Sequence, residues 1–326
     1  MESDQFSEWI HGIHLLLHHE LSNASLHEVI PTLGEEIPIV IVQRKPITKG
    51  AALWHSPLHT IGSPPSFTLY HATEPGSYIL DIVCEGRGRF LYRDTEIQVY
   101  WEQEGTGFAH YFHSYGLAFW FEKHDTPCLH ANSLVINGHG VGLMAASRAG
   151  KSTLTAALVQ QGHGPFADDM LPLRLINSQW VIFPSLPAIR LWPDSAKNFT
   201  TEQVVSNAQR VHEKFEKRVM QLGDNANGSH SVVEAVPLKA VYLLERSMAA
   251  EQRPIQIHTL SPSERLIALL KNSLIGGAAG ALGIEASRLK KLACFAKQIP
   301  IKRLCYPSGF DQLDKVCELL EHDIVN

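Results

Sequence analysis

The residues best suited to chemistry lie in one short run, Ala145-Ala-Ser-Arg-Ala-Gly-Lys-Ser152, with Thr153 directly behind it. The run fits the phosphate-loop pattern G-x-x-x-x-G-K-[ST], with Ala145 standing at the first glycine. That pattern works mechanically. Backbone N–H groups of the loop and of the following helix N-terminus converge on phosphate oxygens. The lysine sets a positive charge between the terminal phosphates, and the hydroxyl ligates the magnesium that bridges them. On this reading Ala145, Ala146, Ser147, Arg148, Ala149, Gly150, Lys151, Ser152 and Thr153 form the nucleotide site, with Ser152 as a metal ligand.

A second feature follows at a telling distance. Asp168-Asp169 stands seventeen residues beyond Lys151, just after the apolar Phe166-Ala167. A carboxylate at the end of a neighbouring strand is where phosphoryl-transfer proteins hold magnesium or position an attacking group. Two adjacent carboxylates divide those tasks, one on the metal and one as base. An Asp-Asp pair alone is more often a surface turn. Beside a phosphate loop the functional reading takes precedence.

The flanking elements fit. Ser133–Ile136 and Val141–Met144 read as strands joined by a turn at Asn137-Gly138, and Ser152–Val159 carries apolar residues at helical spacing up to Gly162. Strand, loop, helix, strand is the pattern of an α/β nucleotide-binding core. Downstream, Trp180–Phe183 and Ala240–Leu244 read as strands, 220–232 as a flexible loop, and 264–274, 286–296 and 310–322 as helices. The Gly/Ala-rich Gly276–Gly283 lies between helices, so a connection is preferred there over a second phosphate loop.

The N-terminal part differs. Glu8–His19 has apolar residues at helical spacing (Trp9, Ile10, Ile13, Leu16, Leu17), which predicts a helix with His14 and His18 one turn apart. That spacing suits a metal, but no Glu or Cys partner accompanies it, so a histidine-rich helix face is favoured. From about Ile37 to Trp120 the chain reads as short strands, among them 37–42, 66–70, 78–83 and 89–93, with a turn at Arg93–Glu96. The expected organisation is therefore a β-rich region over 1–120 and an α/β domain over 121–326.

Composition narrows the classes. With 44% hydrophobic and 19% charged residues, the 326-residue chain should fold throughout rather than remain disordered. A net charge of −5 offers no basic excess for nucleic acid. Five cysteines without C-x-x-C spacing argue against a disulfide framework or zinc site. No basic, apolar leader and no membrane-length apolar run is present, so a cytoplasmic protein without membrane contact is expected.

The segment 129–171 resembles HPr kinase/phosphorylase and related serine kinases. That family has a His, a strand pair, G-x-S-x-x-G-K-S, a helix ending in Gly-His, and Ala-Asp-Asp. This chain has Leu129-His130, Val141–Met144, Ser147–Ser152, Gly162-His163 and Ala167-Asp168-Asp169 in that order. The resemblance implies an HPr-kinase/PEP-carboxykinase-like core using ATP and Mg2+ to phosphorylate a serine hydroxyl. Lys151 would bind the β- and γ-phosphates and Ser152 the magnesium. One of Asp168 and Asp169 would take the hydroxyl proton while the other helps hold the metal. Asp168 is the preferred base and Asp169 the preferred metal partner, although position along the chain does not separate them. His130 would touch the γ-phosphate or tune the carboxylates. Many members assemble as hexamers, so a homo-oligomer is compatible with the resemblance.

The departures concern the acceptor. The family follows Asp-Asp with Arg where this chain has Met170. Its Glu-Ile-Arg-Gly segment corresponds here to Pro187-Ala-Ile-Arg190-Leu-Trp-Pro-Asp194, and its Pro-Gly-Arg-Asn stretch has no counterpart. HPr and the reverse phosphorylase reaction are therefore disfavoured. Arg190–Asp194 and Leu304–Pro307 look like HPr-kinase-related proteins of the lasso-peptide-kinase type, which implies a peptide or small-protein serine as acceptor. Arg190 then reads either as a phosphate or carboxylate ligand or as a structural loop arginine. A small-molecule kinase on the same core and a nucleotide sensor without turnover are the alternatives.

Overall fold

The computed structural model describes residues 5–10, 13–18, 39–42, 47–56, 65–84, 86–102, 108–185, 188–212, 215–221, 235–247 and 254–326. It divides into two compact units. One comprises Met1–His124, His212–Lys214 and Ile275–Glu285, and the other Asp125–Val211, Phe215–Leu274 and Ala286–Asn326.

The first unit holds an eight-stranded sheet. Its strands are β1 (Gln5–Ile10), β2 (Ile13–His18), β3 (Ile39–Val42), β4 (Ala52–His55), β5 (Ser66–His71), β6 (Tyr78–Val83), β7 (Arg87–Tyr92) and β8 (Glu96–Trp101), in the order β1-β2-β3-β8-β7-β6-β5-β4. The expected helix over 8–19 is not there: β1 and β2 pair antiparallel, with Ile10 opposite Ile13. A short apolar run fits both periods. Gly12 costs a helix about 1 kcal/mol, while the edge of β3, pairing parallel with β2, offers hydrogen bonds to an extended chain. His14 and His18 then lie four strand residues apart, about 13 Å along the chain, too far to share a metal.

The strand reading also stops short of Trp120. Phe108–Tyr111 (α1), a π-helical turn at Phe112–Gly116 and Leu117–Lys123 (α2) form a helical run. Leu117–Glu122 is buried without a break rather than on alternate residues, as a helix enclosed on all sides should be. Phe119 lies 4.4 Å from Tyr92, ring centre to ring centre, and the Tyr92 hydroxyl donates to Gly116 O at 2.9 Å.

The second unit begins with β9 (Cys128–Leu129), β10 (Ala131–Ile136) and β11 (His139–Met144). Asn137 and Gly138 both take positive φ, the two-residue hairpin turn expected at that dipeptide. Then come α3 (Lys151–Gln160), β12 (Gly164–Ala167), β13 (Leu171–Pro172), β14 (Arg174–Ile176), β15 (Gln179–Ile182), β16 (Ala188–Leu191), α4 (Pro193–Ala196), α5 (Glu202–Asn207), β17 (Arg210–His212) and β18 (Phe215–Gln221). Last are the twelve-residue β19 (Val236–Ser247), β20 (Gln256–Thr259), α6 (Pro262–Lys271), α7 (Glu285–Gln298), β21 (Ile301–Pro307) and α8 (Leu313–Val325). The predicted loop 220–232 falls almost wholly outside the described residues, with Met220 and Gln221 in β18.

β19 runs through the centre of the main sheet, parallel to β11 on one side and β21 on the other. Its alternate residues enter opposite cores. Val241 packs with Leu269, Phe295 and Ile301 of the α6–α7 side. Tyr242 packs with Leu154, Leu158, Val316 and Leu320 of the α3–α8 side. Helices on both faces of a partly parallel sheet make the chain mixed α/β. A separate three-stranded sheet has the order β16-β18-β17.

Candidate active site

The loop 145–150 leaves the carboxyl end of β11 and enters α3 directly. Gly150 has φ +96°, and a Cβ there would meet the Tyr306 hydroxyl at 3.0 Å. Arg148 also takes positive φ, at 64°. Such turns aim successive N–H groups at one point. No side chain caps α3, so its first N–H groups lack the partner a cap would supply. The loop is tied down from its other side. Arg246 Nη2 donates to Arg148 O at 2.9 Å, and Tyr306 Oη to Ala149 O at 3.3 Å. Both anchors come from the carboxyl ends of the strands parallel to β11, where they pair with each other.

The carboxylates sit at the end of β12. Asp169 is left-handed, φ 65°, and its N–H is held by Asn132 Oδ1 at 3.1 Å. Asn132 in turn donates to Thr155 Oγ1, which donates to Lys151 O, both at 3.0 Å. Through this buried chain β10 sets the acidic turn and the first turn of α3 together. Asp168 accepts the Arg190 N–H on Oδ2 at 3.0 Å, while its Oδ1 is buried without a hydrogen-bond partner.

Around them stand the cations. Lys151 Nζ is 3.8 Å from Asp169 Oδ1 and 3.0 Å from His130 Nε2, and that ring nitrogen lies 3.5 Å from the same carboxylate oxygen. A ring nitrogen either donates or accepts, so the proton on Nε2 decides which neighbour it serves. Arg190 Nη1 and Lys217 Nζ lie 3.6 and 3.7 Å from Asp169 Oδ2.

The two aspartates are driven apart electrostatically. Burial and the neighbouring Asp169 charge raise Asp168 to about 6. Burial would raise Asp169 too. Lys217, the His130 hydrogen bond, Lys151 and Arg190 outweigh it and hold Asp169 well below the ordinary carboxylate value. Burial lowers Lys151, against the pull of both aspartates. One carboxylate poised to take a proton and one kept ionised is the division that acid–base chemistry beside a cation requires.

The structure thus brings together His130, Lys151, Asp168, Asp169 and Arg190, which the sequence singled out. Ser152 and Thr153 follow Lys151 in the first turn of α3, and Thr153 Oγ1 lies 3.4 Å from Ser195 Oγ. Ala145 is buried behind the loop, while Ala146, Ser147 and Arg148 are exposed. Four residues escaped the sequence reading: Asn132, Lys217, Arg246 and Tyr306. Asn132 left a signal, as a carboxamide in an otherwise buried strand, and Tyr306 lies in the Leu304–Pro307 segment singled out for its resemblance, without a role given to it.

Among the described residues no group of three or more His, Cys, Asp or Glu could hold a metal unaided. Magnesium needs no such cage, since it keeps waters and takes one or two carboxylates plus phosphate oxygens. The ionised Asp169, with the Ser152 hydroxyl free of hydrogen bonds among the described residues, fits that donor set. No described helix is long and apolar enough to cross a membrane.

No family model matches the chain, and no curated protein matches it. Among solved structures it is similar to the Hpr(Ser) kinase/phosphatase from Coxiella burnetii, at 16% identity over 61% of this chain and 96% of that one, with a TM-score of 0.34. The chemistry therefore rests on this chain's own geometry.

Proposed function

We propose that this chain is an ATP-dependent kinase that transfers the γ-phosphoryl group to a serine hydroxyl of a peptide or small protein, a lasso-peptide precursor being an acceptor of that kind. One observation carries the reading: an uncapped helix N-terminus, entered through left-handed Gly150, shares its first turn with Lys151, which lies beside two carboxylates of opposite protonation tendency.

The residues have distinct tasks. Loop and α3 N–H groups bind phosphate oxygens, and Lys151 places its charge among them. Ser152 and Asp169 would hold magnesium, which neutralises phosphate charge when bound. Asp168, raised toward protonation, accepts the acceptor proton. The new bond joins the acceptor oxygen to the γ-phosphorus, the bond to the bridging oxygen breaks, and ADP departs. Positioning and charge neutralisation account for most of the rate. His130 touches Lys151 and Asp169 and so orients the lysine.

The test is MgATP titration by calorimetry. Lys151→Ala should weaken binding by roughly 100-fold with the fold intact. Unchanged affinity would sink the nucleotide reading. Incubation with serine-containing peptides, followed by mass spectrometry, then separates the alternatives. Phosphopeptide supports the peptide kinase, transfer only to small hydroxy compounds supports the small-molecule kinase, and binding without turnover supports a sensor.

A further inference from the structure

Four basic side chains surround Asp169, and they divide by oxygen. His130 and Lys151 lie at Oδ1, on the loop side. Arg190 and Lys217 lie at Oδ2, on the side of the small sheet. Strand register explains the second pair. Arg190 is opposite Val219 in the antiparallel β16–β18 ladder, so Lys217, two residues from Val219, shares its face. The proposed nucleotide accounts for the first pair only.

Arg190 is already committed. Its N–H and its guanidinium both engage Asp168 Oδ2, at 3.0 and 3.5 Å. Lys217 is not. Among the described residues its one ion pair is with Asp169, at 3.7 Å, beyond hydrogen-bond reach, and its side chain keeps 24% exposure. Lys217 contributes most to holding Asp169 ionised, so the exchange has a cost, but the pair is long and open to solvent at the lysine end. A lysine on a flexible stem regains more from a phosphate oxygen, where the hydrogen bond is charge-assisted at both ends.

We propose that Lys217 is the catalytic cation of the transfer: it binds the phosphoryl group in flight, from the side opposite Lys151. This rests on the kinase reading above. As the acceptor oxygen bonds to the γ-phosphorus and the bridging oxygen leaves with ADP, negative charge spreads over the equatorial oxygens. Lys217 swings from Asp169 onto one of them and keeps its own proton, while the acceptor proton goes to Asp168. Lys151 and Lys217 then bracket the moving group.

Binding of MgADP, alone and with aluminium fluoride as a mimic of the group in flight, tests this on the full chain. Wild type should bind MgADP more tightly when aluminium fluoride is present. Lys217→Met should keep MgADP affinity within about threefold, lose roughly 30-fold or more of the extra tightening, and lower ATP turnover about 100-fold at unchanged KM. Lys217→Arg should restore part of the tightening. If Lys217→Met keeps the tightening, or loses MgADP affinity in the same proportion, the inference is overturned. A wild type that binds MgADP but shows no tightening overturns it as well, and leaves the nucleotide site standing. A wild type that binds no MgADP overturns the kinase reading, and this inference with it.

Discussion

Two carboxylates, one in each compact unit, are ringed by three Lys or Arg side chains apiece, and the rings differ in how tightly they close. Asp81 lies mid-strand in β6, 3% exposed, directly across from Arg89 on β7. Lys49 reaches its Oδ2 at 2.7 Å and Arg87 at 3.3 Å, and Arg89 Nε lies 3.5 Å from Oδ1. Asp169 lies at a strand end in a left-handed conformation, with Lys151, Arg190 and Lys217 at 3.6 to 3.8 Å. Each cluster leaves one buried carboxylate oxygen without a hydrogen bond, Asp81 Oδ1 and Asp168 Oδ1, so that mark does not separate them. What separates them is closure. Two of the Asp81 cations, Lys49 and Arg87, are spent on it in hydrogen bonds. The Asp169 cations stand off, beside a second carboxylate and an uncapped helix, with charge to spare for an anion. A count of charges would have ranked the two as equals.

Substitution should break the likeness. The largest effect is expected of Asp168→Asn: ATP turnover in the presence of acceptor falls on the order of 1000-fold while MgATP affinity holds, and unchanged turnover would remove Asp168 as base. Asp81→Asn should act on folding instead, leaving three cations around a neutral amide and lowering stability by about 2 to 3 kcal/mol in urea unfolding, with nucleotide affinity of the folded fraction unaltered. A loss of affinity with no loss of stability would reverse the roles given to the two clusters.

Asn132→Ala sharpens the comparison at the level of backbone support, for which Asp81, in a regular strand, has no need. It strips the Asp169 N–H of its acceptor and should cost about 1 to 2 kcal/mol, with turnover falling more than MgATP affinity. Equal losses of both would mean that the Asn132 chain supports the loop rather than the acidic turn.

The smallest effects are those of pH, and their signs are opposite. Asp168 is raised to about 6 from an ordinary 3.8. The folded chain therefore holds that proton more firmly than the unfolded chain, and this contribution to stability is lost as pH rises between those values. Turnover should run the other way, dropping about tenfold per unit below pH 6, because the proposed base has to be ionised. Asp81 is lowered, its burial outweighed by Lys49 and Arg87. Its contribution is complete above the ordinary value and disappears as pH falls through the lowered one. Urea midpoints against pH should thus lose one slope in Asp168→Asn and the opposite, more acidic slope in Asp81→Asn.

The parts legible in the sequence are those carried by neighbours along the chain. Loop 145–150 between strand and helix, the hairpin at Asn137-Gly138, and Asp168-Asp169 after an apolar strand all follow from short-range pattern and turn chemistry. The helix expected over 8–19 shows where such pattern fails: five apolar residues satisfy two periods, and sheet pairing chose between them. Asn132, Arg246, Tyr306 and Lys217 were not assigned to the site from the sequence for a related reason. Each reaches the loop or the acidic turn through strand pairing or packing that spans dozens of residues, such as β19 beside β21 or Arg190 opposite Val219. The sequence alone determined that a loop of phosphate-loop pattern and two carboxylates occur in order at workable spacing. Only the tertiary structure decided which carboxylate stays charged, because burial and four basic groups drawn from separate elements set that balance, and none of those distances is written in local order along the chain.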